Sequence, residues 1–377
     1  MKSRRTRLRS AVAVILTVLV LVPTGVLFGR VWQDNSDRRD STTLEKKGVE
    51  YITALTPLIS ALIEAQSSAL QGVSAPPVSL KAAISQVAAV DAGLGDALET
   101  KQRWAGLQDK IGKLAKVTGP TPAVYQAHVE ITDLALALYN AVRRNAELNR
   151  DPDNDLANLQ QAVAIDMPTT VVLVSRMGDL ANLLANATAK TRPALVVQFG
   201  QEVLAAQDAV NQLTDDLQAA VDDTKSPTLS GSLVSTLDSL RRGVESMSRG
   251  ANPGGSPNVA TMAIAQSALK TALNSLATST LREMTTLLDD RIDTLDYRRT
   301  EAVVMGLLAV ALVVGAAILS VTGRKPDTPE PATPPPGETT RGDLVARTGG
   351  YGAGPHDHLP AYGEVTPTRR ERSGALR

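Results

Sequence analysis

The sequence predicts an all-α protein that crosses a membrane twice, with an elongated antiparallel helical-bundle domain, in the form of two stacked bundles, between the spans. Three observations carry this expectation. Two runs, one near each end of the 377 residues, are apolar and uncharged. Between them apolar residues recur in alternating steps of three and four, the seam of helices packed at a shallow angle. Aromatic residues are only 3% of the chain while alanine, leucine and valine abound, which suits close-packed helices better than a β-sandwich.

Residues 1–10 are basic, with Lys2, Arg4, Arg5, Arg7 and Arg9 ahead of the first apolar run. That run, Ala11 to Phe28, reads as a transmembrane helix over 11–29, because about 18 uncharged residues reach across a bilayer core as a helix. A cleaved signal peptide would need small residues at a cleavage site, and none precedes Arg30 and Trp32. Basic residues collect on the cytoplasmic side of a span, so the N-terminus is expected in the cytoplasm. The second span covers 302–322, where Ala302 to Val321 is uncharged and a helix satisfies its own backbone groups in lipid. Arg298 and Arg299 before it balance Arg324 and Lys325 after it. Two crossings of the cytoplasmic membrane then return the C-terminus to the cytoplasm and place residues 30–301 outside, with the lipid bilayer as the first partner.

Within 30–301 the seam is explicit. Leu44, Gly48, Tyr51, Leu55, Leu58, Leu62, Ala65 and Ala69 keep it in one segment, Ile131, Leu134, Leu138 and Ala141 in a second, and Phe199, Val203, Ala206, Val210, Leu213, Leu217 and Ala220 in a third. Helix starts are expected where an oxygen-bearing side chain precedes a proline, at Asp151-Pro152, Ser226-Pro227 and Ser256-Pro257. These breaks predict seven helices near 31–71, 78–117, 122–148, 153–190, 193–224, 228–248 and 258–301. Pro57 and Pro168 fall inside helical patterns and are expected to kink them. The last helix has no glycine or proline from Asn258 to Met305, so it is expected to enter the membrane unbroken.

Residues 323–377 are rich in proline, glycine and threonine, a composition expected to stay disordered in the cytoplasm. Pro329 to Pro336 could dock on a signalling protein, and Thr328, Thr333, Thr339, Thr340, Thr366 and Thr368 offer hydroxyls to a kinase.

Chemistry-bearing residues are sparse. The three histidines are His128, His356 and His358, the last two in the tail. There is no cysteine for a disulfide or a thiolate metal site. Phosphate-binding glycine loops, His-Glu-x-x-His pairs and Gly-x-Ser-x-Gly elbows are missing from the sequence. Paired acids such as Asp215-Asp216 and Asp289-Asp290 point apart on a helix and read as solvated surface. A catalytic role, a bound cofactor, a metal site and a nucleic-acid face are therefore not expected. Arg143 and Arg144 are the candidates for holding an anionic ligand, weighed against a solvated surface pair.

Two stretches resemble a known family. The run from Glu45 to Leu62 carries Gly48-x-x-Tyr51 followed by Leu55, Pro57 and Leu58, and a second run carries Leu148, Asp151-Pro152-Asp153, Ala162-Val163 and Met167-Pro168. Both are similar to signatures of the four-helix-bundle, bimodular extracytoplasmic sensor modules of bacterial chemoreceptors, diguanylate cyclases and sensor kinases. This chain has Ala65-Gln66-Ser67 where that family often has a His-Arg-Gly-like turn. It also shows neither a HAMP linker nor an output domain after the second span. The resemblance implies a ligand-sensing ectodomain, homodimerisation, and an output that belongs to a separate protein. The alternative is a structural or accessory scaffold of the cell envelope, which needs no pocket between its helices.

Overall fold

A computed structural model describes residues 2–73, 75–117, 119, 121–148, 154–223, 227–252 and 256–322. Described residues are helical or in short turns, with no strand among them. The compact helical unit reaches Ile318; of the unit that follows, from Leu319, only the end of the last helix is described. The tail residues proposed above for docking and phosphorylation, with His356 and His358, lie outside the described residues, as does the Asp151-Pro152 turn.

Helix α1 spans Lys2–Leu70, so the expected membrane segment and first domain helix are one element of 69 residues, about 100 Å at 1.5 Å per residue. No breaker separates them at Arg30 to Trp32. The helix ends with Gly72 at φ +84°, where Val73 N–H donates to the Ser68 carbonyl and Gly72 N–H to that of Ala69.

The helix expected over 78–117 is instead two, α2 (Val78–Leu94) and α3 (Lys101–Leu114). The break is a left-handed turn at Glu99, φ +51°, closed by Thr100 N–H on the Gly95 carbonyl. What holds it is Asp91, buried, whose Oδ1 accepts from Tyr51 Oη at 2.8 Å and Thr100 Oγ1 at 2.7 Å. A tertiary contact to α1 thus overrides the local helical pattern.

Helix α4 spans Thr121–Asn145. The segment expected over 153–190 runs as α5 (Asn154–Gln161), a π-helical turn (Ala162–Asp166) and α6 (Met167–Ala185). Pro168, buried at the start of α6, lies two residues after the end of the π turn. A proline clashes with the carbonyl four residues back, and a widened turn is one way a helix absorbs that. Helices α7 (Arg192–Asp223), α8 (Pro227–Ala251) and α9 (Val259–Thr322) complete the order. Asn258, not Ser256, caps α9: its Oδ1 accepts from Thr261 N–H at 3.0 Å. Continuity of α9 from the bundle through Met305 is as the sequence predicts.

One apolar core joins these helices. Leu55, Leu58 and Leu62 of α1, Leu138 and Val142 of α4, Leu180 of α6, Leu213 and Leu217 of α7, and Leu276 and Leu288 of α9 are essentially inaccessible. Helices α1 and α9 run antiparallel and are stitched along their length. Ser60 Oγ meets Asn274 Oδ1 at 3.3 Å, Lys46 pairs with Asp289, and Arg39 engages both carboxylate oxygens of Asp296, at 2.5 and 3.2 Å. Arg291 approaches Glu45 at 3.8 Å, and Asn35 Nδ2 donates to the Leu295 carbonyl at 3.0 Å.

Further along, Arg299 lies 4.7 Å over the Trp32 ring, which stacks on Phe28. Phe28 in turn approaches Gly306 so closely that a Cβ there would touch its ring at 3.3 Å. Beyond this cluster the apolar side chains of both helices lack cover: Ile15, Leu19 and Leu27 of α1 and Leu307, Val310 and Leu312 of α9 are each more than 60% exposed. Both helices are long and apolar enough to cross a membrane. Over Leu21–Leu70 the apolar stretch of α1 is two-thirds buried as core, whereas that of α9 is not buried at all.

Candidate ligand-binding cleft

The end of the bundle farthest along α1 from its exposed apolar segment contains a cleft of about 750 Å³, a volume in the range of small-molecule sites. It opens because small residues replace large ones where four helices converge. Ala65 and Ala69 continue the α1 seam after Leu55, Leu58 and Leu62, and alanine leaves the space a leucine would fill. Opposite them stand Leu80 and Ile84 of α2, Ile111 and Leu114 of α3, and Val124 of α4. Ala65 is 37 residues beyond Phe28, about 55 Å along one unbroken helix.

His128 of α4 is the buried polar side chain of the lining, 6% exposed. Its ring forms no hydrogen bond among the described residues, and burial lowers its pKa, which disfavours the charged imidazolium. The remaining polar lining, Lys81, Ser85 and Gln108, is exposed at the rim. The α4 backbone at His128 is tied to α6 through the next turn, where Thr132 Oγ1 donates to the His128 carbonyl at 3.3 Å. There Arg176 of α6, itself buried, donates through Nη2 to the Val129 carbonyl at 3.2 Å, Thr132 Oγ1 at 2.6 Å and Asp133 Oδ1 at 2.5 Å.

The α1 wall of the cleft is coupled to α6. Gln66 Nε2 and Ser67 Oγ, flanked by the cleft residues Ala65 and Ala69, donate to the two oxygens of Asp179 at 2.7 and 2.9 Å. Burial raises the Asp179 carboxyl to about 6, opposed by those two donors and by Lys270 of α9. One carboxylate thus senses three helices, α1, α6 and α9.

Arg143 and Arg144 are not at the cleft. They lie in the last turn of α4, with Arg143 15 residues from His128, or about 22 Å along the helix. Arg144 is exposed, while Arg143 is half-buried, with its Nε lacking a hydrogen-bond partner. Its charge acts on Asp166, the last residue of the π turn. Burial raises the Asp166 carboxyl to about 7; Asp216 of α7 adds to the rise, while Gln161 and Arg143 oppose it. Asp166 Oδ2 has no hydrogen-bond partner among the described residues, and a neighbouring carboxylate favours the protonated acid. Among the described residues no group of three His, Asp or Glu side chains is placed to hold a metal ion.

His128 belongs to no recognisable motif in the sequence. The signal that could have found it is the pair of alanines on α1 where the seam calls for larger residues. The chain matches no family, no curated protein and no solved structure.

Proposed function

We propose that this is a membrane-anchored, sensor-like protein without catalytic activity, whose helical domain binds a small solute in the α1–α4 cleft and relays its state to a separate partner. The single observation that carries the reading is continuity: α1, whose Ala65 and Ala69 line the cleft, runs unbroken to the exposed apolar segment. The exposed apolar ends of α1 and α9 support a two-pass topology. On this reading both termini are cytoplasmic and residues 30–301 lie outside the cytoplasmic membrane. Large apolar side chains left uncovered call for lipid or a partner, and Trp32 beside Arg299 at the head of both segments suits a membrane interface. Similarity of Glu45 to Leu62 and of Leu148 to Pro168 to bacterial sensor modules points the same way.

A solute that fills the cleft presses on Ala65 and Ala69, and Gln66 and Ser67 carry the displacement to Asp179. Helices α1 and α9 are joined by the Arg39–Asp296 and Lys46–Asp289 pairs, so a shift of one moves against the other. Output then passes to a cytoplasmic protein through the spans or the tail, in a homodimer as the resemblance implies. Thermal unfolding of the full chain in lipid nanodiscs, screened against neutral and ionic solutes, tests the reading. A binder raises the midpoint by mass action, and filling the cleft with Ala69→Phe abolishes that rise. A flat response across the panel favours the structural scaffold.

A further inference from the structure

We infer that the solute taken by the cleft is an apolar molecule carrying one uncharged hydroxyl, an aliphatic alcohol in chemical class, and that the His128 imidazole receives that hydroxyl. The inference rests on the cleft being a binding site. The side chains of Ala65, Leu80, Ile84, Ile111 and Leu114 make the walls mostly hydrocarbon, which selects an apolar body. His128 is buried, lines the cleft, and has no hydrogen-bond partner for its ring among the described residues. A solute that fills the cleft displaces water from the imidazole, and one that gives the ring a hydrogen-bond partner in its place is selected over a bare hydrocarbon.

Charge narrows the class further. Lys81 is the cation of the lining and sits exposed at the rim, out of reach of a group buried against the imidazole. Burial lowers the imidazole pKa and disfavours its charged form, with no carboxylate or cation contributing to the shift. A carboxylate head seated there would shed its water without gaining a counter-charge. A neutral hydroxyl both donates to and accepts from an imidazole nitrogen, whichever ring tautomer is present.

The chain carries its own reporter. Of the two tryptophans, Trp104 lies buried on α3 one turn before the cleft residue Gln108, and Trp32→Phe leaves it as the sole tryptophan, excited selectively at the red edge of the absorption band. Full-length Trp32→Phe protein in phosphatidylcholine nanodiscs is titrated with 1-octanol and with octanoate. Ala69→Phe on the same background subtracts uptake by the bilayer. Octanol is expected to shift Trp104 emission saturably, at least tenfold more tightly than octanoate. His128→Leu is expected to weaken octanol about tenfold, the size of one neutral hydrogen bond, and to leave octanoate unchanged. His128→Asn, which restores a hydrogen-bonding group, recovers part of the loss, so a folding defect in His128→Leu is distinguishable. Octanoate binding as tightly as octanol, or octanol indifferent to His128→Leu, overturns the head-group inference and leaves the cleft reading standing. If neither probe gives a response that Ala69→Phe removes, both readings fall.

Discussion

Replacing Asp166 with asparagine should make the protein more stable at neutral and alkaline pH, and the gain should vanish toward acid. The folded state holds this carboxyl at about 7, against 3.8 for a free aspartate. Below 3.8 both states carry the proton and nothing is lost. Between 3.8 and about 7 the folded state keeps a proton the unfolded chain has released, so stability falls by about 1.36 kcal/mol per pH unit. Above 7 the proton is gone from both and the full loss, about 4 kcal/mol, persists. Asparagine mimics the protonated acid: its amide can donate to Asp216 while its oxygen still accepts from Gln161 Nε2, now 3.2 Å from Oδ1. Other titrating groups, Asp179 and Glu202 among them, are common to both chains and cancel in the difference. Thermal and urea unfolding of the two full-length proteins, followed by far-ultraviolet circular dichroism, should show the variant's advantage growing by about 2–3 kcal/mol between pH 5 and pH 8. Parallel pH profiles, or an advantage that grows toward acid, would refute a buried Asp166 carboxyl held protonated beside Asp216.

Further predictions concern the break between α2 and α3. Asp91→Ala orphans the buried hydroxyls of Tyr51 and Thr100 and should cost about 2–4 kcal/mol in urea unfolding, whereas Tyr51→Phe should cost about 1 kcal/mol. Glu99→Gly should stabilise by up to about 1 kcal/mol, because an exposed glutamate at φ +51° bears a strain that glycine lacks. A loss of stability in Glu99→Gly would show that the side chain holds the turn by a contact.

Periodicity made most of the core legible. Phe199, Val203, Ala206, Val210, Leu213, Leu217 and Ala220 are all buried, as their three-four spacing predicts. Leu134 departs from the pattern, at 37% exposed, while Ile131, Ala135 and Leu138 around it are buried. The break at Glu99 was hidden, since it depends on a hydrogen bond from Tyr51, 40 residues away, to Asp91. The π turn was legible only as a misplaced proline: Pro168 announces a disturbed helix, and nothing local says the disturbance is a widened turn ending on Asp166. The cleft was least legible. His128 acquires its setting from α1, α2 and α3, and a single helix's pattern carries no trace of a space that four helices leave between them.

The claim on which the rest depends is that α1 and α9 both cross a membrane, with the helical domain on its outer side. The chain has no cysteine, so single substitutions can be labelled without background. Ser3→Cys, Asp96→Cys in the exposed turn after α2, and Ser373→Cys would each be treated in intact cells with a membrane-impermeant thiol reagent. The account predicts labelling of Asp96→Cys in intact cells, and of Ser3→Cys and Ser373→Cys only after permeabilisation. Protection of Asp96→Cys, or labelling of either terminal cysteine in intact cells, would contradict it.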